Sequence, residues 1–197
     1  AFLARMPATD THHGHRHHYC SPHTDLLGWI IERASGSAFN LLFSELLMQP
    51  LGAAHGGYVT LDAFGAPRVA GGICVAPHDL LRFAEMVRNF GTVGTRQIVP
   101  EDWIAEFRSF DDTGPWQRQQ DGPRHFPHGS YRSKWYRTGL PDGEFAAIGI
   151  HGQWIWVNPA REVTIIRMAS NDLPIDPDSG PVLHAAFDAV CRAFAPA

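Results

Sequence analysis

The tightest limit on the fold is the run Ile148-Gly149-Ile150-His151-Gly152-Gln153-Trp154-Ile155-Trp156-Val157, in which both alternating sets of positions are largely apolar. A strand with one wet face alternates apolar and polar residues. A run apolar on both faces belongs near the centre of a sheet that is covered on each side. The segment 145–157 therefore reads as a central strand. A second strand, Glu162–Ala169, follows across Asn158-Pro159-Ala160-Arg161, and Tyr131–Tyr136 reads as another before it. Such a sheet needs helices to cover it.

The first two-thirds of the chain supply them. Ser21-Pro22 is a helix start, with serine placed to cap an orphan amide and proline lacking one. Leu26, Leu27, Ile30, Ile31 and Ala34 then recur at helical spacing until Gly36 closes the helix. Ser37 reads as the cap of a second helix carrying Phe39, Leu42, Phe43, Leu46 and Leu47, stopped by Pro50. From Gly52 to Gly72 the chain reads as loop with short strands near Tyr58 to Leu61. Pro77 opens a third helix ending at Gly91, and Pro100 a shorter fourth holding Trp103, Ile104 and Phe107. Asp111–Gly129, rich in proline, glycine and polar residues, reads as a long surface loop of the kind that forms lids or binding loops. With a closing helix over Pro181–Phe194, the order is helices, then antiparallel sheet, then helix: an α+β layered domain.

Composition narrows the function. The chain has 197 residues, enough for one domain, and its 16 basic against 20 acidic residues give a net charge of −4 without any basic stripe. Nucleic acid and anionic membrane surfaces are therefore poor partners. No apolar window reaches the roughly 18 residues of a membrane span. Lys134 is the only lysine, so a mechanism requiring lysine must use it or look outside the chain. The three cysteines are too scattered for a disulfide framework or a cysteine zinc site. The opening Ala1-Phe2-Leu3-Ala4-Arg5 shows no readable signal peptide. It suits a start within a larger protein or a chain that has lost its initiator methionine.

Tyr19-Cys20-Ser21-Pro22 stands directly before the first capped helix, where a phenol either faces a cleft or packs on the first helical turn. The stretch Tyr19–Arg33 resembles the second motif of the serine β-lactamase-like hydrolases, and most closely their 6-aminohexanoate-dimer hydrolase and esterase branch. Gln49-Pro50-Leu51-Gly52 is similar to that family's Pro-Leu-Gly, and Gly71-Gly72 with the helix to Phe83 to its Gly-Gly turn and following helix. Gly149–Pro159 resembles its third motif, on the strand that lines the active site. Four blocks in the right order cover nearly the whole chain.

The resemblance implies a β-lactamase/transpeptidase-like fold and a serine hydrolase cleaving a small amide or ester through an acyl-enzyme, without a cofactor. A serine hydroxyl is a poor nucleophile until a positioned base takes its proton. A phenol, which ordinarily ionises near about pH 10, serves as that base only beside a cation. The resemblance places Tyr19 in this role, and Ser21 where many relatives carry asparagine. Ser21 then bonds lysine or substrate unless its hydroxyl is used as the helix cap. Ile150, His151, Gly152 and Gln153 fall where the family binds substrate and builds part of its oxyanion hole. His151 supplies a hydrogen bond or a charge there, or is an imidazole satisfied within the sheet.

The family's nucleophile motif, Ser-x-x-Lys, does not occur: the residue three before Lys134 is Tyr131. The resemblance thus implies that residues 1–197 are the C-terminal part of a single hydrolase domain, with a helical region over about 20–110 and the sheet and closing helix over about 130–197. A missing N-terminal segment, or another chain, is expected to complete the sheet and carry the nucleophile. The chain by itself is then inactive. Three other readings compete. Five histidines between His12 and His18 offer imidazole ligands for a metal, on what reads as a flexible loop. Cys20 offers a thiol beside His18. A non-catalytic remnant or binding module of the same fold is the remaining one. Trp135, Tyr136, Trp154 and Trp156 line either a cleft or the core.

Overall fold

A computed structural model of the chain describes residue 5 and residues 12–119, 126–176 and 178–194. Helices α1 (Ser21–Ser35) and α2 (Phe39–Phe43, continued by a π turn over Ser44–Met48) precede a small hairpin, β1 (Tyr58–Val59) with β2 (Ile73–Cys74). Helix α3 (Pro77–Arg88) leads to a second small hairpin, β3 (Thr92–Val93) with β4 (Arg96–Gln97). Helix α4 (Glu101–Ser109) and the short α5 (Gly114–Gln117) come next. Five strands then form one antiparallel sheet in sequence order: β5 (Ser130–Arg132), β6 (Trp135–Arg137), β7 (Phe145–Gly149), β8 (Gln153–Asn158) and β9 (Val163–Arg167). Helix α6 (Ser179–Phe194) closes the chain.

The sheet is covered on both faces. Directly paired residues share a face, so the registers Tyr131↔Tyr136, Tyr136↔Ala146 and Ala146↔Trp156 run one row across four strands. That face packs Trp154 and Trp156 against Phe187 and Cys191 of α6, with Trp116 and Phe126 in the same cluster. The opposite face packs Trp135, Phe145, Ile155 and Val157 against Met86 and Val87 of α3 and Ile104 and Phe107 of α4. Trp135 stacks on Phe107 at 5.6 Å and meets Phe145 edge-on at 5.3 Å. Trp135, Tyr136, Trp154 and Trp156 are therefore core residues rather than cleft lining.

Five local expectations are corrected. The strand read over Tyr131–Tyr136 is a hairpin: Ser133 (φ 51°) and Lys134 (φ 71°) are both left-handed, as a two-residue loop matched to strand twist requires. The segment 145–157 is likewise two strands, broken by a tight turn at Ile150–Gly152. The N-cap of α1 is Cys20, in an extended conformation, and Ser21 is the first helical residue with no side-chain cap bond. Ala38, not Ser37, precedes α2; the orphan Phe39 N–H is satisfied by the Glu32 carboxylate of α1, 2.8 Å away. The stretch read as a surface loop also contributes to the core, through Trp116 and Phe126, both almost fully buried.

Helix α1 lies with its apolar side outward. Gly28 seats against Val69 so closely that a Cβ would come within 2.4 Å of a valine methyl. On the same side Asp25 accepts the Ala70 N–H at 2.8 Å. Leu27, Ile30 and Ile31, on the other side, are each 45% exposed or more. Among the described residues, β9 also has no strand on its outer side.

Candidate functional site

Tyr19 sits at the entrance to α1, held there by the segment before it. The His17 N–H donates to the Pro115 carbonyl at 2.8 Å, and Arg118 Nε to the His15 carbonyl at 2.6 Å. The His17 ring wedges between Trp116 (5.3 Å between centroids) and Tyr131 (4.7 Å). The histidine-rich stretch is thus docked on α5 and β5 rather than a flexible loop. Among the described residues, no group of three or more His, Cys, Asp or Glu lies close enough to hold a metal.

The docking leaves the Tyr19 ring 47% exposed. It meets Tyr131 edge-on, 6.4 Å between centroids, and Tyr131 in turn packs on Tyr136 at 4.7 Å. Burial, with a smaller contribution from Tyr19, pushes the Tyr131 phenol well above its ordinary value; Tyr136 shifts the same way for the same first reason. Tyr131 and Tyr136 therefore stay protonated near neutral pH, and Tyr19 is the phenol of the three that faces solvent. Ser21 follows two residues on, partly buried, its hydroxyl not spent as a cap.

The second part of the site is the turn between β7 and β8. His151 is left-handed (φ 57°, ψ 24°) and is held from three sides by the segment after β9. Its N–H donates to the Pro174 carbonyl (2.9 Å), its carbonyl accepts from Asn171 N–H (3.1 Å), and its Nδ1 lies 2.8 Å from the Asn171 carbonyl. A carbonyl oxygen only accepts, so Nδ1 carries a proton and donates it there, which leaves Nε2 as the ring nitrogen not engaged by Asn171. Gly152 has φ 83°, and a Cβ there would come within 2.2 Å of Arg167 Nη1, which donates to the Gly152 carbonyl. Gln153 Nε2 donates to the Ala169 carbonyl and its Oε1 accepts the Ala169 N–H at 3.3 Å. Ile150 stands at the crest of the turn, 61% exposed. A cavity of about 650 Å³ opens alongside, lined by Arg167, Asn171, Leu173, Asp176 and Val182 among others.

The structure brings Ile150, His151, Gly152 and Gln153 together as one braced turn. No hydrogen bond or ring contact among the described residues joins this turn to Tyr19 or Ser21. The connection runs through the sheet, from Tyr131 on β5 by way of Tyr136 to Ala146 on β7, the strand that ends at the turn. Three residues that shape the site were not singled out from sequence: Tyr131, Arg167 and Asn171. Only their proximity in the fold identifies them, since none belongs to a local motif. His17 stands in the histidine-rich stretch read as offering metal ligands, and in the fold it packs between Trp116 and Tyr131 instead.

The two-face-covered antiparallel sheet, the preceding helices and the closing helix place this fold in the β-lactamase/transpeptidase-like class. The family model for β-lactamases matches residues 1–186, and the chain belongs to that family of serine hydrolases. It is 30% identical over 152 residues to a 6-aminohexanoate-dimer hydrolase of Paenarthrobacter ureafaciens, an alignment covering 77% of this chain and 38% of the relative. A solved structure from Bacillus anthracis, described as a 6-aminohexanoate-dimer hydrolase, superposes with a TM-score of 0.80 at 20% identity, covering 91% of this chain and 45% of that one. A structure from Bacteroides dorei described as a β-lactamase superposes with a TM-score of 0.70 at 22% identity, covering 97% and 62%. The chain thus spans less than two-thirds of each relative's length.

Proposed function

We propose that this chain forms the C-terminal part of one hydrolase domain, with its helical region over about 20–110 and its sheet region over about 130–197. In this reading the domain cleaves a small amide or ester, and its Ser-x-x-Lys nucleophile lies outside residues 1–197. The serine oxygen attacks the substrate carbonyl while its proton passes to the Tyr19 oxygen, held as phenolate by the motif lysine. The carbonyl oxygen gains the negative charge and accepts hydrogen bonds from backbone N–H groups, one from the Ile150–Gly152 turn. Tyr19 then gives its proton to the departing amine or alcohol, leaving the acyl-serine. Water repeats the sequence with Tyr19 as base and releases the acid. His151, with Nε2 available, and Gln153 and Ser21 hold the substrate.

The observation that carries this reading is the placement of Tyr19: it is the exposed member of a phenol cluster whose other members are buried, at the head of the helix that follows the family's second motif. The outward apolar side of α1 and the open side of β9 support the companion proposal, that the absent segment covers the helix and pairs with the strand. Tyr19→Phe in the complete protein should lower kcat for ester and amide substrates by about 10²–10⁴-fold with little change in KM. Full activity in that variant would remove Tyr19 from the chemistry. The lack of Ser-x-x-Lys in this sequence favours one rival, a module that binds amide or peptide without cleaving it. That rival predicts substrate binding by the complete protein with no turnover at all.

A further inference from the structure

The opposite end of β8 from the His151 turn holds a second cavity, of about 500 Å³. The six residues Gln153–Asn158 separate the two ends, roughly 20 Å of extended chain. The cavity lies where α3 and α4 both end, with Arg88, Asn89, Phe90, Gly94, Arg108 and Pro159 in its lining. Two of these are guanidinium groups, and no carboxylate lines the space.

The two arginines differ in what they already hold. Arg88 grips the Glu85 carboxylate with Nε at 3.1 Å and Nη2 at 2.9 Å, so its charge is matched. Arg108 donates Nη1 to the Arg88 carbonyl at 3.1 Å, and its guanidinium lies 4.0 Å over the Phe90 ring. Among the described residues no carboxylate pairs with it, and Nε and Nη2 make no hydrogen bond. Burial, and then the neighbouring Arg88 charge, act against its ionised form. An anion in the cavity would supply the countercharge that Arg108 lacks. Phe90 forms this platform in a left-handed conformation (φ 51°), which a non-glycine residue adopts only at an energetic cost. The Asn89 side-chain amide is exposed and unengaged among the described residues, which leaves a second donor at the rim.

We propose that this cavity is a binding site for a small organic anion, a carboxylate or a phosphate monoester. Arg108 supplies the charge-assisted hydrogen bonds, the Asn89 amide a neutral one, and Phe90 and Pro159 pack against the apolar part of the ligand. The site is separate from the hydrolytic cleft and does not depend on the proposed chemistry.

Calorimetric titration of the complete protein with inorganic phosphate and, separately, with benzoate tests this and distinguishes the two anion chemistries. Saturable binding of either is expected. Its dissociation constant should rise about tenfold or more in Arg108→Gln, which removes the charge-assisted donors. Because Arg108 also caps α3, Asn89→Asp is the companion variant: it keeps every contact within the protein named above and replaces the amide donor at the rim with a negative charge. It should weaken binding by a similar factor, while Arg33→Gln, a change on α1, leaves binding unaltered. No saturable binding of either anion, or equal affinity in the wild type and Asn89→Asp, would overturn the proposal.

Discussion

Asp79 is almost fully buried, yet it stays ionised because four donors converge on it. Its Oδ1 accepts the Ala54 N–H (2.9 Å) and Arg82 Nη1 (2.7 Å); its Oδ2 accepts the His55 N–H (2.9 Å) and lies 3.1 Å from His55 Nδ1. The Ala54 N–H is the largest cause of a carboxyl pKa lowered from 3.8 to about 2, outweighing burial, which acts the other way. A carboxylate depressed by folding contributes stability above its unfolded value, and that contribution is lost as pH falls toward the folded one. Asp79→Asn turns one acceptor oxygen into an NH2 group that faces donors. The variant should unfold at lower urea than the wild type at neutral pH, and the gap between them should close between about pH 4 and pH 2. A gap of constant size across that range would show that Asp79 carries no such linkage. Nothing in the sequence marks Asp79 out from the rest of α3, because the loop it holds is 24 and 25 residues away.

The helices show what sequence periodicity can and cannot define. The apolar spacing of α1 sets its length correctly, and Gly36 ends it in a left-handed cap whose N–H reaches the Glu32 carbonyl. Periodicity also marks an apolar side, but not which neighbour covers it. Here the rest of the chain packs on the other side, through Gly28 and Asp25. This predicts a difference between two contexts. Ile30→Asp in residues 1–197 alone should change stability by no more than about 0.5 kcal/mol, as for exposed positions generally. In the complete protein it should cost about 2 kcal/mol or more, because a fully buried isoleucine is worth roughly 1.5–3 kcal/mol. Equal small effects in both, read from urea midpoints, would mean that nothing covers α1. Turns were harder to read than helices. Ser133-Lys134 lacks the asparagine-glycine signature of its hairpin, and Ile150–Gly152 lies inside an apolar run, so each was absorbed into a strand.

For the molecule as a whole, the central place of Ile148–Val157 followed directly from its doubly apolar pattern. The strand pair it became sits between two aromatic clusters, one against α6 and one against α3 and α4. The contribution of Trp116 and Phe126 was not legible, because a tryptophan in a proline- and glycine-rich stretch carries no period that would place it inside. The candidate site was legible as separate motifs and only partly as an assembly. Tyr19 and the His151 turn were named from sequence, whereas the packing that presents them, His17 and Tyr131 at one and Arg167 and Asn171 at the other, emerges only in three dimensions. Family membership places these parts in a serine hydrolase, and the account holds that the attacking serine lies outside them. Reaction with a fluorophosphonate, followed by mass-spectrometric mapping of the modified residue, tests this directly on residues 1–197 alone and on the complete gene product. The account predicts a modified serine upstream of Ala1 in the complete protein, ester turnover by that protein, and neither modification nor turnover for residues 1–197. A modified serine within residues 1–197, accompanied by turnover from that chain alone, would contradict it.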